Sequence, residues 1–369
     1  MELESLSALD AALRAPAGLA GTRWQGLDLS GHEADLFSRT DFHGVAVLGG
    51  RLTPELATHI ARHGGLVFPS EPQAPVDCYR GALYGAEDLY AGLREDGYDQ
   101  TPDARAYRWA QDGALARDAV TTLMRAIHDD SISDALAERV DGLEVVGVMG
   151  GHGVERGTDG YAATARLGRA LAAGGLTVVT GGGPGAMEAA NLGAWVRDDA
   201  QLAAALDRLA AVPSFRPSID AWACVAMEVY DTAGGTGTAT AAGPRLRSLG
   251  VPTWFYGHEP PNVFCDGIAK YFSNAIREDG LLALANRGLV VTPGAAGTVQ
   301  EVFQIATRLY YAPAGTPLPR VVLVGEEHWT TELPVWPLLR ALAAGRDMAG
   351  VVHLVDGMDT AAELVLEQP

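Results

Sequence analysis

Three times in this chain an apolar, β-branched run passes straight into a glycine-bearing turn and then into sequence of helical period. Leu143 to Met149 ends in Gly150-Gly151-His152-Gly153, and Leu176 to Thr180 ends in Gly181-Gly182-Gly183-Pro184-Gly185-Ala186-Met187. Leu289 to Thr292 ends in Pro293-Gly294-Ala295-Ala296-Gly297. After the first turn, Ala162, Ala165, Leu167, Leu171 and Ala172 keep a helical spacing up to Gly174-Gly175. Further strands are expected at Val251–Phe255 and Arg320–Val324. Strand and helix alternating at this interval predict an α/β chain whose parallel sheet is covered by helices on both faces. Such sheets bind ligands beyond the carboxyl ends of their strands, where these three turns fall.

The alternation starts near residue 141, so two regions are expected: an N-terminal lobe, 1–140, and an α/β domain, 141–369. The lobe shows one β–α–β echo, with strands at Val45–Leu48 and Leu66–Phe68 and a helix opened by Thr53-Pro54-Glu55. Thr53 suits the cap position and Pro54 the first turn. Mostly helical sequence follows to Val140. Between about 198 and 248 an insertion interrupts the alternation. It holds helices near Leu202–Leu209 and Ala221–Tyr230 and then the Gly/Thr/Ala run 231–244, expected to be disordered rather than a lid.

At 369 residues the chain can bury a large core. Its 27 Lys+Arg against 46 Asp+Glu leave a net charge of −19, which disfavours nucleic-acid and anionic-membrane partners. A small anion remains compatible, because a local pocket of N–H groups and arginine outweighs a distant field. Cys78, Cys224 and Cys265 show no metal or redox spacing, the acidic start resembles no secretory signal, and no apolar run approaches a membrane span. A cytoplasmic protein without metal or cofactor is expected.

The third turn carries the most chemistry. A strand turning sharply into a helix leaves the first backbone N–H groups unpaired and converging, an arrangement that suits a phosphate. Gly294, Ala295, Ala296, Gly297 and Thr298 form that cradle, and Glu301 sets a carboxylate one turn beyond it. Two readings of Glu301 stand. It acts on something attached to the phosphate, or it closes a Thr298-x-x-Glu301 capping box and is not free for substrate. A helix expected from Ile268 to Leu284 puts Lys270, Asn274 and Arg277 on one face, either as a cationic stripe near the cradle or as a solvated face. The Gly181–Met187 turn also fits the relaxed dinucleotide pattern G-x-G-x-x-A. No acidic residue ends a strand at the required distance, so that match is weak.

Gly181-Gly-Gly-Pro-Gly-Ala-Met187 followed by Pro293-Gly-Ala-Ala-Gly-Thr-Val-Gln-Glu301 resembles the LOG ("lonely guy") family of phosphoribohydrolases. It is similar too to the bacterial nucleotide 5′-monophosphate nucleosidases, both often misnamed lysine decarboxylases. The family pattern Pro-Gly-Gly-x-Gly-Thr-x-x-Glu is met at Pro293, Gly294, Gly297, Thr298 and Glu301, and departed from at Ala295. The resemblance spans roughly 143–357 and implies a Rossmann-like, doubly wound sheet. It implies hydrolysis of the N-glycosidic bond of a nucleoside 5′-monophosphate, with Glu301 and Arg277 catalytic. Gly150, Gly151, Gly182, Gly183, Met187, Lys270 and Asn274 would lie on the nucleoside side. It further implies a homodimer or larger homo-oligomer. The alternative is a carrier or sensor of the same fold that binds a nucleotide or phosphorylated cofactor without turning it over. A lysine decarboxylase is disfavoured, since no lysine sits in a pyridoxal-phosphate context.

Overall fold

In this computed structural model, residues 2–68, 74–234, 246–255 and 259–367 are described. The chain is α/β and Rossmann-like, with two all-parallel sheets flanked by helices. It divides into two compact units, one of residues 1–81 with 112–135 and one of 82–111 with 136–369.

The first unit carries a four-stranded sheet in the order β1-β2-β3-β4. Its strands are β1 (Glu2–Leu3), β2 (Arg23–Gln25), β3 (Ala46–Leu48) and β4 (Leu66–Phe68). The sequence pattern showed the apolar runs of β3 and β4 but not β1, which has two residues, or β2, where Arg23 and Gln25 flank Trp24. Thr53 caps the helix Pro54–Arg62, its hydroxyl accepting from the Leu56 N–H at 3.3 Å. Leu56 and Ile60 on that helix join Trp24, Phe42 and Val47 in the unit's core.

The second unit carries seven parallel strands. In chain order they are β5 (Val145–Met149), β6 (Thr177–Thr180), β7 (Ser248–Gly250), β8 (Gly267–Ile268), β9 (Gly288–Val291), β10 (Arg320–Val324) and β11 (Val352–Val355). Their spatial order is β11-β10-β9-β5-β6-β7-β8. The chain thus builds outward from β5 to β8, returns to pair β9 against the other edge of β5, and continues outward. The point of reversal lies between β5 and β9, where Met149 pairs with Val291 in register. Val146, Val148, Val178, Val290 and Val322 of the central strands are fully buried against helices Asp159–Ala173, Ala186–Trp195 and Met358–Leu366.

Two expectations are corrected. The strand expected at Val251–Phe255 lies earlier, at Ser248–Gly250, because Pro252 has no N–H to extend the ladder. The helix expected from Ile268 begins only at Asn274. Residues 268–271 are spent on sheet-like pairing instead: Ile268 exchanges both hydrogen bonds with Tyr84 at 2.8 and 2.9 Å, and the Ala269 N–H donates to the Gly250 carbonyl at 2.8 Å. In the insertion, helices form at Asp199–Leu209 and Ile219–Thr232, while the Gly/Thr run from 235 onward lies outside the described residues.

Candidate active site

Folding brings the three turns together at the carboxyl ends of β5, β6 and β9, on the point of reversal. The Thr292 N–H donates to the Met149 carbonyl at 2.8 Å, and the Gly151 N–H donates to the Pro293 carbonyl at 3.1 Å. The loops after β5 and β9 are therefore tied to each other. Gly185 ties in the third turn: its φ is +73°, and a Cβ there would sit 2.6 Å from the carbonyl oxygens of Gly151 and His152. Only glycine permits both that backbone angle and that approach.

A cavity of ≈ 620 Å³ opens between these loops, large enough for a nucleotide-sized ligand. On one side it meets the start of helix Ala296–Tyr310. Val299 makes the first main-chain bond at this end, to the Ala295 carbonyl at 3.0 Å. The amides of Ala296, Gly297 and Thr298 are thus left for an acceptor. Gly294, Ala295, Gly297 and Thr298 line the cavity; Ala296 is exposed and does not. Gly294 is required because a Cβ would meet the Thr298 hydroxyl at 2.2 Å.

The helix cap is Ala295, with no side-chain cap bond, so Thr298 and Glu301 do not form a capping box. Glu301 faces the cavity with its side chain 12 % exposed, and its one charged neighbour among the described residues' ion pairs is Arg277, at 3.9 Å. Burial pushes its carboxyl from 4.5 up to about 7; Arg277 opposes the rise and Glu278 adds to it. Arg277 in turn is aimed from below: its Nε and Nη2 donate to Asn274 Oδ1 at 3.2 and 2.6 Å. Glu278 accepts from Asn274 Nδ2 at 2.9 Å and from Gln300 Nε2 at 2.7 Å, joining the two helices beneath the pair.

That elevated value has a consequence for stability. Folding raises it, so the folded chain holds a proton that the unfolded chain has released. The stabilisation is complete below pH 4.5 and is lost as pH rises through about 7. Between about pH 4 and about pH 8 the unfolding free energy of Glu301→Gln is expected to gain roughly 3 kcal/mol on that of the wild type. Urea melts of both proteins across that range check this; parallel pH profiles would contradict it.

Of the nucleoside-side residues, Gly150, Gly151, Gly183 and Met187 line the cavity. Three do not. Lys270 is fully buried and pairs with Asp103 at 2.5 Å, over the Trp254 ring. Asp103 is further held by Tyr98 Oη at 2.6 Å and Trp254 Nε1 at 2.8 Å, which commits the ammonium to the fold. Asn274 positions Arg277 instead of reaching the cavity. Gly182 forms the turn itself: its N–H donates to Thr180 Oγ1 at 2.9 Å and its carbonyl accepts from Asn262 at 2.8 Å.

Sequence reasoning also gave no site role to three titratable cavity residues, His152, Glu259 and His328. Glu259 lines the same cavity as Glu301; burial raises its carboxyl, while His152 (Nδ1 to Oε1, 3.2 Å) and then Arg277 hold it down. His328 follows β10 and touches Gly294. Both His152 and His328 follow the carboxyl ends of central strands, which was the available signal. For Glu259 the signal was the rigid Glu259-Pro260-Pro261 segment.

Residues 143–201 match the SLOG cluster4 family model. That span holds the first two glycine turns, and neither Arg277 nor the Pro293–Glu301 turn. It supports a nucleotide-related role and names no reaction. No curated protein matches the chain.

Proposed function

We propose that the protein is a phosphoribohydrolase that cleaves the N-glycosidic bond of a nucleoside 5′-monophosphate, giving free base and ribose 5-phosphate. The observation that carries this reading is Glu301: a mostly buried carboxylate, poised to titrate near neutrality, one turn beyond an open helix start in the same cavity. A site that only held an anion would gain nothing from a negative charge beside it. Bond cleavage explains the placement. As the base departs, positive charge builds at the anomeric carbon, and a carboxylate held beside it stabilises that charge.

In this scheme the amides of Ala296, Gly297 and Thr298 grip the 5′-phosphate, which fixes the sugar relative to Glu301. Glu301 faces the anomeric carbon and takes the proton of the attacking water, while the departing base keeps the electron pair of the broken bond and takes up a proton from solvent, so that protons balance. Arg277 holds Glu301 in place and favours its ionised form. The pairing on Asn274 leaves the guanidinium little freedom to leave that position. Gly183 and Met187 shape the nucleoside side. Following the family resemblance, we expect the enzyme to work as a homo-oligomer.

The test is to incubate the purified protein with a panel of purine and pyrimidine nucleoside monophosphates and assay free base and ribose 5-phosphate together. Equimolar release from at least one nucleotide is expected, with none from the corresponding nucleoside, which lacks the phosphate handle. Tight nucleotide binding with no release would establish the carrier alternative.

A further inference from the structure

His328 stands at the mouth of the Gly294 turn in a bonding arrangement that cannot be satisfied in one protonation state. Its Nδ1 lies 2.9 Å from Glu332 Oε2. A carboxylate only accepts, so Nδ1 carries a proton. The other ring nitrogen, Nε2, lies 3.0 Å from the Gly294 carbonyl oxygen and 3.4 Å from the Gly294 amide nitrogen. Toward the amide it must be a bare lone pair that accepts. Toward the carbonyl it must carry a proton and donate. The neutral ring makes the first bond, the charged ring the second.

The Gly294 amide is the group that opens the turn around the cavity's anion side. We infer that His328 is a positioning residue that couples anion capture at the Gly294–Thr298 turn to its own protonation, the charged ring releasing the Gly294 N–H to the anion. This rests on the anion-binding reading of the turn given above. Charging the ring does two things in the same direction: it frees a donor and adds a positive charge beside the anion. Glu332, on the ring's own segment, is the carboxylate that holds Nδ1, at 2.9 Å. The edge of Trp329 packs against the ring at 4.6 Å without charge. The other titratable groups lining the cavity are Glu259, Glu301, Arg277 and His152. Because the coupling is reciprocal, a bound anion draws a proton onto the ring just as a protonated ring tightens the anion.

Inorganic sulfate is the probe, since it stays doubly charged across the histidine range. Backbone amide NMR of the wild type reports whether sulfate reaches Gly294 and Gly297, and the imidazole signals, assigned by their loss in His328→Gln, report the ring. At pH 7 sulfate is expected to move the His328 signals toward the charged form. Its affinity is expected to be about tenfold higher at pH 5.5 than at pH 8. His328→Gln keeps a fixed donor and is expected to lose most of this pH dependence. Glu301→Gln is expected to keep the sulfate-induced movement of the His328 signals and to lose only the share of the pH dependence that its own titration near 7 contributes, which separates the ring from the carboxylate. Sulfate that shifts the loop amides but leaves the His328 signals in place overturns this inference alone. Sulfate that shifts no loop amide overturns the anion site and the inference with it.

Discussion

Glu301→Gln is expected to bind nucleoside monophosphate about as well as the wild type and to release base on the order of 10²–10³ more slowly. The substitution keeps the shape of the side chain and removes the charge, so it leaves the amides of Ala296–Thr298 untouched. Arg277 retains Asn274 as a partner, which keeps the guanidinium in place when the carboxylate is gone. What disappears is the negative charge facing the anomeric carbon and the acceptor for the water proton. The pH profile gives a second reading. Only the ionised carboxylate serves, and burial has pushed its titration up to about 7, so wild-type turnover should climb with pH through that region and level off above it. The residual turnover of the variant should lack that limb. Single-turnover base release, measured beside equilibrium nucleotide binding, separates the two effects. A variant as fast as the wild type would remove Glu301 from the chemistry, and one that no longer binds would move it to ground-state recognition.

The strands of the second sheet were legible where they are long and apolar. Residues 145–149, 177–180, 288–291 and 320–324 are runs that pattern alone detects, and the turns after them announced the cavity. The helix start at Asn274 was not legible. Ile268, Phe272 and Ile276 keep a helical spacing, yet the backbone at 268–271 is claimed by Tyr84, Gly250 and Pro252, partners far away in sequence. Lys270 went astray for the same reason. Its partner Asp103 is 167 positions distant, and nothing local distinguishes a lysine bound for a buried pair from one bound for a ligand. The capping box failed for a different physical reason. Thr298 has the right spacing to Glu301, but the helix starts two residues before it, at Ala296, which places Thr298 inside the first turn and its side chain over Gly294. His328 enters the cavity from a segment that carries no motif, so only the sheet order could have placed it there.

Arg156→Ala is expected to destabilise the second unit by about 3–5 kcal/mol, the cost of stranding one member of a buried ion pair. Arg156 follows the β5 turn and Glu188 lies in the first turn of helix Ala186–Trp195, and both side chains are almost wholly buried. Arg156 Nε and Nη2 donate to the two Glu188 oxygens at 2.9 and 2.5 Å, while Tyr161 Oη donates to one of them at 2.9 Å. Nη1 reaches the Trp222 carbonyl at 3.1 Å, and the guanidinium lies 4.4 Å from the centre of the Trp222 ring. One side chain therefore joins the β5 loop, the helix behind the Gly181–Gly185 turn and a helix of the insertion. Removing it leaves the Glu188 carboxylate in the interior with Tyr161 as its remaining side-chain partner among these groups. The paired substitution Arg156→Met with Glu188→Leu removes both charges and fills similar volume, so it should cost much less than the single change. Chemical denaturation of the three proteins makes the comparison. If the double variant is as unstable as Arg156→Ala, the loss comes from the contacts with Trp222 and the insertion and not from the stranded charge. If the double variant is stable but releases base slowly, the pair serves to hold the two glycine turns at the spacing the nucleoside requires.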